Sequence, residues 1–345
     1  MAQGQINLDA WMSEIRANVD ELLGAFFESM LREADELSPL ASELVTEVRD
    51  LTMRGGKRLR PIVVAAAYRA VNGPGSVRAT FEVGAALELL QTYLLIHDDW
   101  MDEDDERRGG PAVHFVFRQR HGNPHLGASL GVLAGDLAST FSWELFWSSE
   151  FPEQRRDDAL ASFVRIQKEV FAGQQLDLMA ADDVERMHDL KTGSYTTRGP
   201  AELGGIVAGG GERAMQSLRD WSSPLGIAFQ LRDDLLSTFG TAQQTGKPGD
   251  DLRHGKNNAV VAAFHRLGST EAGRAALAEV WGRPEATDEQ VEHAAAALSE
   301  ARRDVERRLE FLVDEARSAI AASAFDGDAK AMLEEVTSRL TDRGH

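Results

Sequence analysis

The chain has 345 residues and no cysteine, which excludes disulfides, thiolate metal sites and cysteine nucleophiles. It is also short of positive charge: 37 basic residues face 56 acidic ones, for a formal net charge of −19. Nucleic acid and anionic membranes both need a positive face, so neither is an expected partner. Any anionic ligand must be met by a local cluster of cations or by metal ions. There is no uninterrupted apolar run of about 18 residues, the minimum for a membrane span. Residues 1–16 lack the basic-then-apolar pattern of a signal peptide. Long linkers, low-complexity tracts and fixed-period repeats are missing too, as are P-loop and dinucleotide fingerprints, a nucleophile elbow and a Ser/His/Asp arrangement. With 43% hydrophobic and 27% charged residues, the expectation is a soluble, cytoplasmic globular protein.

Strand alternation is scarce and helical periodicity is nearly continuous. The pattern predicts amphipathic helices over 14–36, 41–53 and 61–71, and further helices over 126–146, 157–181, 187–207 and 213–236. Segment 81–96 is apolar almost all round, interrupted mainly by Glu88 and Gln91, as expected of a buried helix. Segment 286–322 carries an apolar stripe of Val291, Ala294, Ala295, Leu298, Val305, Leu309 and Leu312, read as one or two helices lying on the core. The expected architecture is a single all-α domain of ten or more helices.

Two acidic clusters end apolar helices. In IHDDWMDEDDERRGGPAVH, 96–114, Asp98 and Asp102 lie one turn apart with Asp99 adjacent. Like charges at that spacing beside a core call for a cation, and oxygen-only ligands favour a hard one such as Mg2+. LGIAFQLRDDLLS, 225–237, repeats the logic with Asp233 and Asp234, and sets Gln230 on their face. Two such helices suggest facing walls of one metal site. Lysine is rare, at positions 57, 168, 191, 247, 256 and 330. Four of the six lie in GGKRLRP, LKTG, TGKPG and HGKNN, beside glycine or a helix break. With Arg107 and Arg108 they form a candidate distributed clamp for phosphate groups. Carboxylates, a divalent metal and phosphate-binding cations in an apolar bundle suit one task. A diphosphate leaves as an anion while the apolar surroundings shield the resulting carbocation from water.

These residues resemble the trans-isoprenyl diphosphate synthases, or polyprenyl synthetases, from about Leu22 to Leu340. The ordered motifs are GGKRLRP at 55–61, HDDWMDEDDERRGGPAVH at 97–114, GQQLDL at 173–178, KTGSYT at 191–196, FQLRDD at 229–234 and GKPGDDLRHGK at 246–256. The resemblance implies the isoprenoid synthase fold around a central apolar cavity. It spans residues 1–345 as one domain, with 1–20 an N-terminal extension and 286–345 its C-terminal helices. It implies that Asp98, Asp99, Asp102, Asp233 and Asp234 bind three Mg2+ on an allylic diphosphate. Arg107, Lys191 and Lys247 then hold that diphosphate, with Lys256 nearby. Lys57, Arg60, Gln91 and Arg108 hold isopentenyl diphosphate, and Gln91 is also about two helical turns before Asp98 on the same face. Thr192 and Gln230 steady the carbocation and the proton transfer. Tyr93 and the smaller Leu94, five and four residues before the first aspartate, limit chain length in a pattern like that of enzymes making geranylgeranyl diphosphate. A homodimer is implied as well.

The chain departs from the family pattern at Ser237, where many relatives have a third aspartate, at Asn257 and Asn258, and at the bulky Trp100 inside the first motif. Two other readings use the same scaffold. A terpene cyclase has no need of a second diphosphate site, so Lys57, Arg60, Gln91 and Arg108 argue against it. A non-catalytic partner subunit is expected to lose aspartates that this chain keeps.

Overall fold

The computed structural model describes residues 7–241 and 249–341. It is helical almost throughout; the one sheet among the described residues is a two-stranded hairpin. The chain divides into two compact units, Met1–Ala159 with Leu203–Gly210, and Leu160–Glu202 with Gly211–His345.

In the first unit, α1 (Leu8–Leu37) begins six residues before the periodicity predicts, because the Asn7 side chain caps it by accepting the Ala10 N–H. Met12, Ile15, Val19, Leu23, Phe27 and Met30 recur at three- and four-residue steps and are all buried, so the first turns are core. Ser38 caps α2 (Pro39–Met53) with proline in its first turn, and α3 (Leu59–Asn72) follows the GGKR loop. A 3-10 turn, Arg78–Thr80, leads into α4 (Phe81–Met101). This helix is buried on nearly every side, as its composition predicts, and Arg78–Met101 is long and apolar enough to cross a membrane. Here 61% of that apolar window is covered by protein instead. After the hairpin β1 (Glu106–Arg107) and β2 (Gly110–Pro111) come α5 (Val113–His121) and α6 (Pro124–Ser148). Helix α6 is the principal partner of α4. Ser142 Oγ donates to the Ala86 carbonyl across that contact at 2.7 Å.

Helices α7 (Arg156–Leu178), α8 (Val184–His188) and α9 (Gly199–Val207) follow. The second unit is organised by α10 (Glu212–Phe239), which packs against α15 (Ser299–Ala322). Between α10 and α15 run the short helices α11 (Asp250–His254), α12 (Ala259–Arg266), α13 (Glu271–Ala278) and α14 (Asp288–Ala297); α16 (Gly327–Thr341) ends the described chain. The predicted stripe is buried at Val291, Ala294, Leu298, Val305, Leu309 and Leu312, and Ala295 lies at its edge. The stripe is split over α14 and α15, and a capping box at Thr287 and Gln290 starts the former.

One element departs from the α-helical expectation over 187–207: Asp189–Arg198 is a π-helix. Its wider turn lets Gly193 meet Gly226 of α10 backbone to backbone. A Cβ on Gly226 would lie 2.6 Å from both Gly193 Cα and Thr197 Oγ1. Gly226→Ala therefore lowers stability by about 1–3 kcal/mol through overpacking. A urea midpoint equal to wild type would contradict this close crossing.

Candidate active site

The first acidic cluster ends α4. The helix continues to Met101, so Asp98 and Asp102 are one turn apart as predicted; the Asp102 N–H donates to the Asp98 carbonyl at 2.8 Å. The three carboxylates differ sharply in environment. Asp99 is 0% exposed, while Asp98 and Asp102 are partly open. Arg107 folds back from the hairpin onto Asp99, donating Nε–H to Oδ1 at 2.5 Å with Nη2 close to the same oxygen. The same guanidinium lies 3.7 Å from Asp98 Oδ2 and 3.6 Å from Asp104 Oδ2. Burial pushes the Asp99 carboxyl up to about 6; Arg107 opposes that rise, and Asp98 and Asp104 add to it. Asp99 Oδ2 is buried with no hydrogen-bond partner among the described residues.

The hairpin is turned by Arg108 and Gly109, at φ 53° and 70°, as a two-residue loop of the primed type requires. Two arginines fasten it to the GGKR loop. Arg54 Nη1 donates to the carbonyls of Arg107 and Pro111, each at 2.9 Å. In the other direction, Arg108 Nη1 donates to the Gly55 carbonyl at 2.8 Å. The loop itself turns through Gly55 and Gly56, at φ 104° and 150°, and Arg16 Nε donates to the Lys57 carbonyl at 3.0 Å. Lys57 and Arg108 thus sit on segments joined by direct hydrogen bonds. Lys57 is exposed, Gln91 is partly buried on α4, and Arg60 is buried in the first turn of α3. Tyr93 and Leu94 are also partly buried on α4. The Tyr93 ring meets His97 edge-on with centroids 4.8 Å apart, and burial followed by Asp136 raises its pKa. Trp100 is exposed.

In the second unit the π-helix and α10 carry the expected groups, and a chain of hydrogen bonds joins them. The Thr192 hydroxyl donates to Gln230 Oε1 at 2.9 Å, and Gln230 Nε2 donates to Asp234 Oδ1 at 3.0 Å. Asp234 is buried; its Oδ2 accepts the Ala259 N–H at 2.8 Å and lies 3.3 Å from His188 Nε2. Burial, then Asp251, pushes the Asp234 carboxyl up to about 7, against the Ala259 and Gln230 hydrogen bonds. Asp233 is more open and lies 3.0 Å from Arg232 Nη2. Lys191 Nζ donates to Asp177 Oδ2 at 2.5 Å, giving the aspartate of GQQLDL a partner the sequence does not reveal. Lys256 follows α11, its N–H donating to the Asp251 carbonyl at 2.9 Å. Lys247 lies outside the described residues.

Two of the departures from the family pattern, Ser237 and Asn258, have local reasons. Ser237 donates its hydroxyl to Asp251 Oδ2 at 2.5 Å, where an aspartate would set two carboxylates against each other. Asn258 caps α12, its Oδ1 accepting the N–H groups of Val260 and Val261 at 3.1 Å each. Its Nδ2 reaches Asp251 Oδ2 and Thr238 Oγ1, each at 2.9 Å. Residues that pattern reasoning misses are Arg54, Arg58, Asp177, His188 and Asp251. Of these, Arg58, Asp177 and Asp251 lie inside motifs already singled out.

Among the described residues, no three Asp, Glu or His side chains gather closely enough to hold a metal ion as they stand. The donor chemistry still suits a hard cation: every candidate ligand is a carboxylate, and one oxygen of Asp99 is buried without a partner. Two depressions in the second unit, of about 760 and 890 Å3, contain none of the expected site residues.

The all-helical fold is shared with solved isoprenyl diphosphate synthases. The geranylgeranyl pyrophosphate synthase of Corynebacterium glutamicum, solved with isoprenyl diphosphate and magnesium, superposes with a TM-score of 0.88 at 28% identity. The match covers 98% of this chain and 100% of that one. The family model for polyprenyl synthetase matches residues 42–298, and the chain belongs to that family. It is an isoprenyl diphosphate synthase family enzyme, a trans-prenyltransferase that elongates prenyl chains. A geranylgeranyl diphosphate synthase of Methanosarcina mazei is 31% identical over 276 residues, 77% of this chain and 79% of the relative. A geranylfarnesyl diphosphate synthase of Aeropyrum pernix is 29% identical over 307 residues, 85% and 92% of the two chains.

Asn258→Ala removes a helix cap and two bonds to its neighbours, and is expected to cost about 1 kcal/mol of stability. Denaturant unfolding with no change in midpoint would deny Asn258 that role.

Proposed function

We propose that this enzyme condenses isopentenyl diphosphate with an allylic diphosphate to give geranylgeranyl diphosphate. The reading is carried by the joining of the Lys57 loop to the Arg108 hairpin in the unit that also holds the Asp98–Asp102 cluster. One set of groups is acidic and suits a metal-bound diphosphate; the other holds no carboxylate, only three cations and the Gln91 amide, and suits a second, metal-free diphosphate. A condensation needs both, whereas a cyclase needs only the first. Lys57, Arg60, Gln91 and Arg108 hold isopentenyl diphosphate. Arg107, Lys191, Lys247 and Lys256 hold the allylic diphosphate, and Asp98, Asp99, Asp102, Asp233 and Asp234 serve as ligands for three Mg2+. When bound, the metal neutralises the departing diphosphate.

The chain's own residues bind, orient and exclude water. The allylic C1–O bond breaks, the double bond of isopentenyl diphosphate attacks C1, and a proton passes from the adduct to the released diphosphate. The Thr192 hydroxyl donates its hydrogen bond to Gln230, which leaves its oxygen lone pairs available to a developing cation. Tyr93, supported by His97, forms the floor that stops growth at twenty carbons. Both units belong to one domain, 1–345, acting in the cytoplasm as a homodimer. Leu126, Leu133 and Trp147 support the dimer: they are exposed at seven- and fourteen-residue spacing along one face of α6.

The test is an incubation of purified enzyme with Mg2+, labelled isopentenyl diphosphate and each allylic starter, the products being dephosphorylated and sized. A twenty-carbon alcohol that disappears with chelator is expected. A hydrocarbon formed from an allylic diphosphate alone would replace this reading with the cyclase. Asp98→Ala and Asp233→Ala should each cut turnover by about a hundred-fold or more, with unchanged circular dichroism. Near-normal turnover in either would sink the ligand assignment. Tyr93→Ala should lengthen the product, and an unchanged product would place the floor elsewhere.

A further inference from the structure

Arg58 lies between two residues of the isopentenyl diphosphate set and belongs to neither cation role. Its side chain is 3% exposed, and its backbone is left-handed, φ 47° and ψ 46°, a conformation an L-residue adopts only at a cost. The guanidinium ties three helices together. Nε donates to Asp20 Oδ1 of α1 at 2.8 Å, Nη1 to Glu88 Oε2 of α4 at 2.9 Å, and Nη2 to the Thr52 carbonyl of α2 at 2.9 Å. Glu88 is the charge that interrupts the apolar face of α4 and is 2% exposed. Its Oε1 is buried with no hydrogen-bond partner among the described residues. Arg58 is thus held from every side at the point where the GGKR loop becomes α3. Lys57 precedes it, and Arg60 follows in the first helical turn.

We propose that Arg58 and Glu88 are the positioning pair of the isopentenyl diphosphate half of the site, fixing loop 55–60 so that Lys57 and Arg60 meet the diphosphate as one rigid set; this rests on the synthase reading above. The electrostatics agree. Burial disfavours the Arg108 cation most and Arg60, Arg58 and Arg107 add to that, while Glu88 is the countercharge that opposes them. Preorganisation of that kind reduces what binding must order. Removing the pair therefore weakens one substrate and not the other.

The experiment compares wild type, Arg58→Lys and the double variant Arg58→Met/Glu88→Met by steady-state kinetics, varying each substrate in turn, alongside thermal melts. Replacing both charges with similar apolar volume avoids the unpaired buried Glu88 or Arg58 that either single apolar replacement would leave. The double variant is expected to raise KM for isopentenyl diphosphate about ten-fold and leave that for the allylic diphosphate within about two-fold. Arg58→Lys, which keeps the charge but loses the fork, falls between. If the double variant does not fold, Glu88→Gln carries the same expectation. An unchanged KM for isopentenyl diphosphate, or equal rises for both substrates, overturns the positioning role while the synthase stands. A wild type that forms no carbon–carbon bond overturns the synthase reading and this inference with it.

Discussion

A charge taken out of water must find its countercharge or lose it, and both units of this enzyme are arranged around that requirement. Asp99, Glu88 and Asp234 are each at most 3% exposed; the first two sit on the largely apolar α4 and the third on the buried face of α10. Asp99 is met by Arg107 and Glu88 by Arg58. Asp234 is met by a backbone amide and the Gln230 side chain, with His188 close by. None of these partners adjoins its acid in sequence. The loops and helix starts that supply them are therefore held in place by the same bonds that neutralise the acids.

Close backbone approach is the second constraint. The glycine of GQQLDL, Gly173, faces the π-helix so tightly that a Cβ there would come 2.2 Å from the Lys191 backbone nitrogen. Gly193 and Gly226 meet on the other side of that helix. Lys191 and Thr192 are thus presented by an element gripped through glycines, which fixes its side chains without depending on side-chain packing. The extra residue per turn in a π-helix is costly, and π-turns are frequent at functional sites.

Much of this was readable from pattern. An apolar helix ending in DDWMD, a second carrying RDD near its C-terminal end, and the stripe over 291–312 follow from the helical period and the cost of buried charge, which are local properties. The start of α1 was not readable, because a single cap at Asn7 extends the helix beyond its amphipathic pattern. The π-helix was hidden because its sequence fits ordinary helical spacing nearly as well. Glu88 stood out only as an interruption, since nothing near it in sequence names a partner thirty residues away.

The all-helical class and the family were already set by periodicity and motif order, which are properties of the chain alone. Packing of the helices settled which carboxylate of each cluster is buried and which arginines donate to backbone carbonyls. It also decided why Ser237 and Asn258 stand where they do. Those outcomes depend on dielectric and distance between residues far apart in the chain, and both arise only when the helices pack.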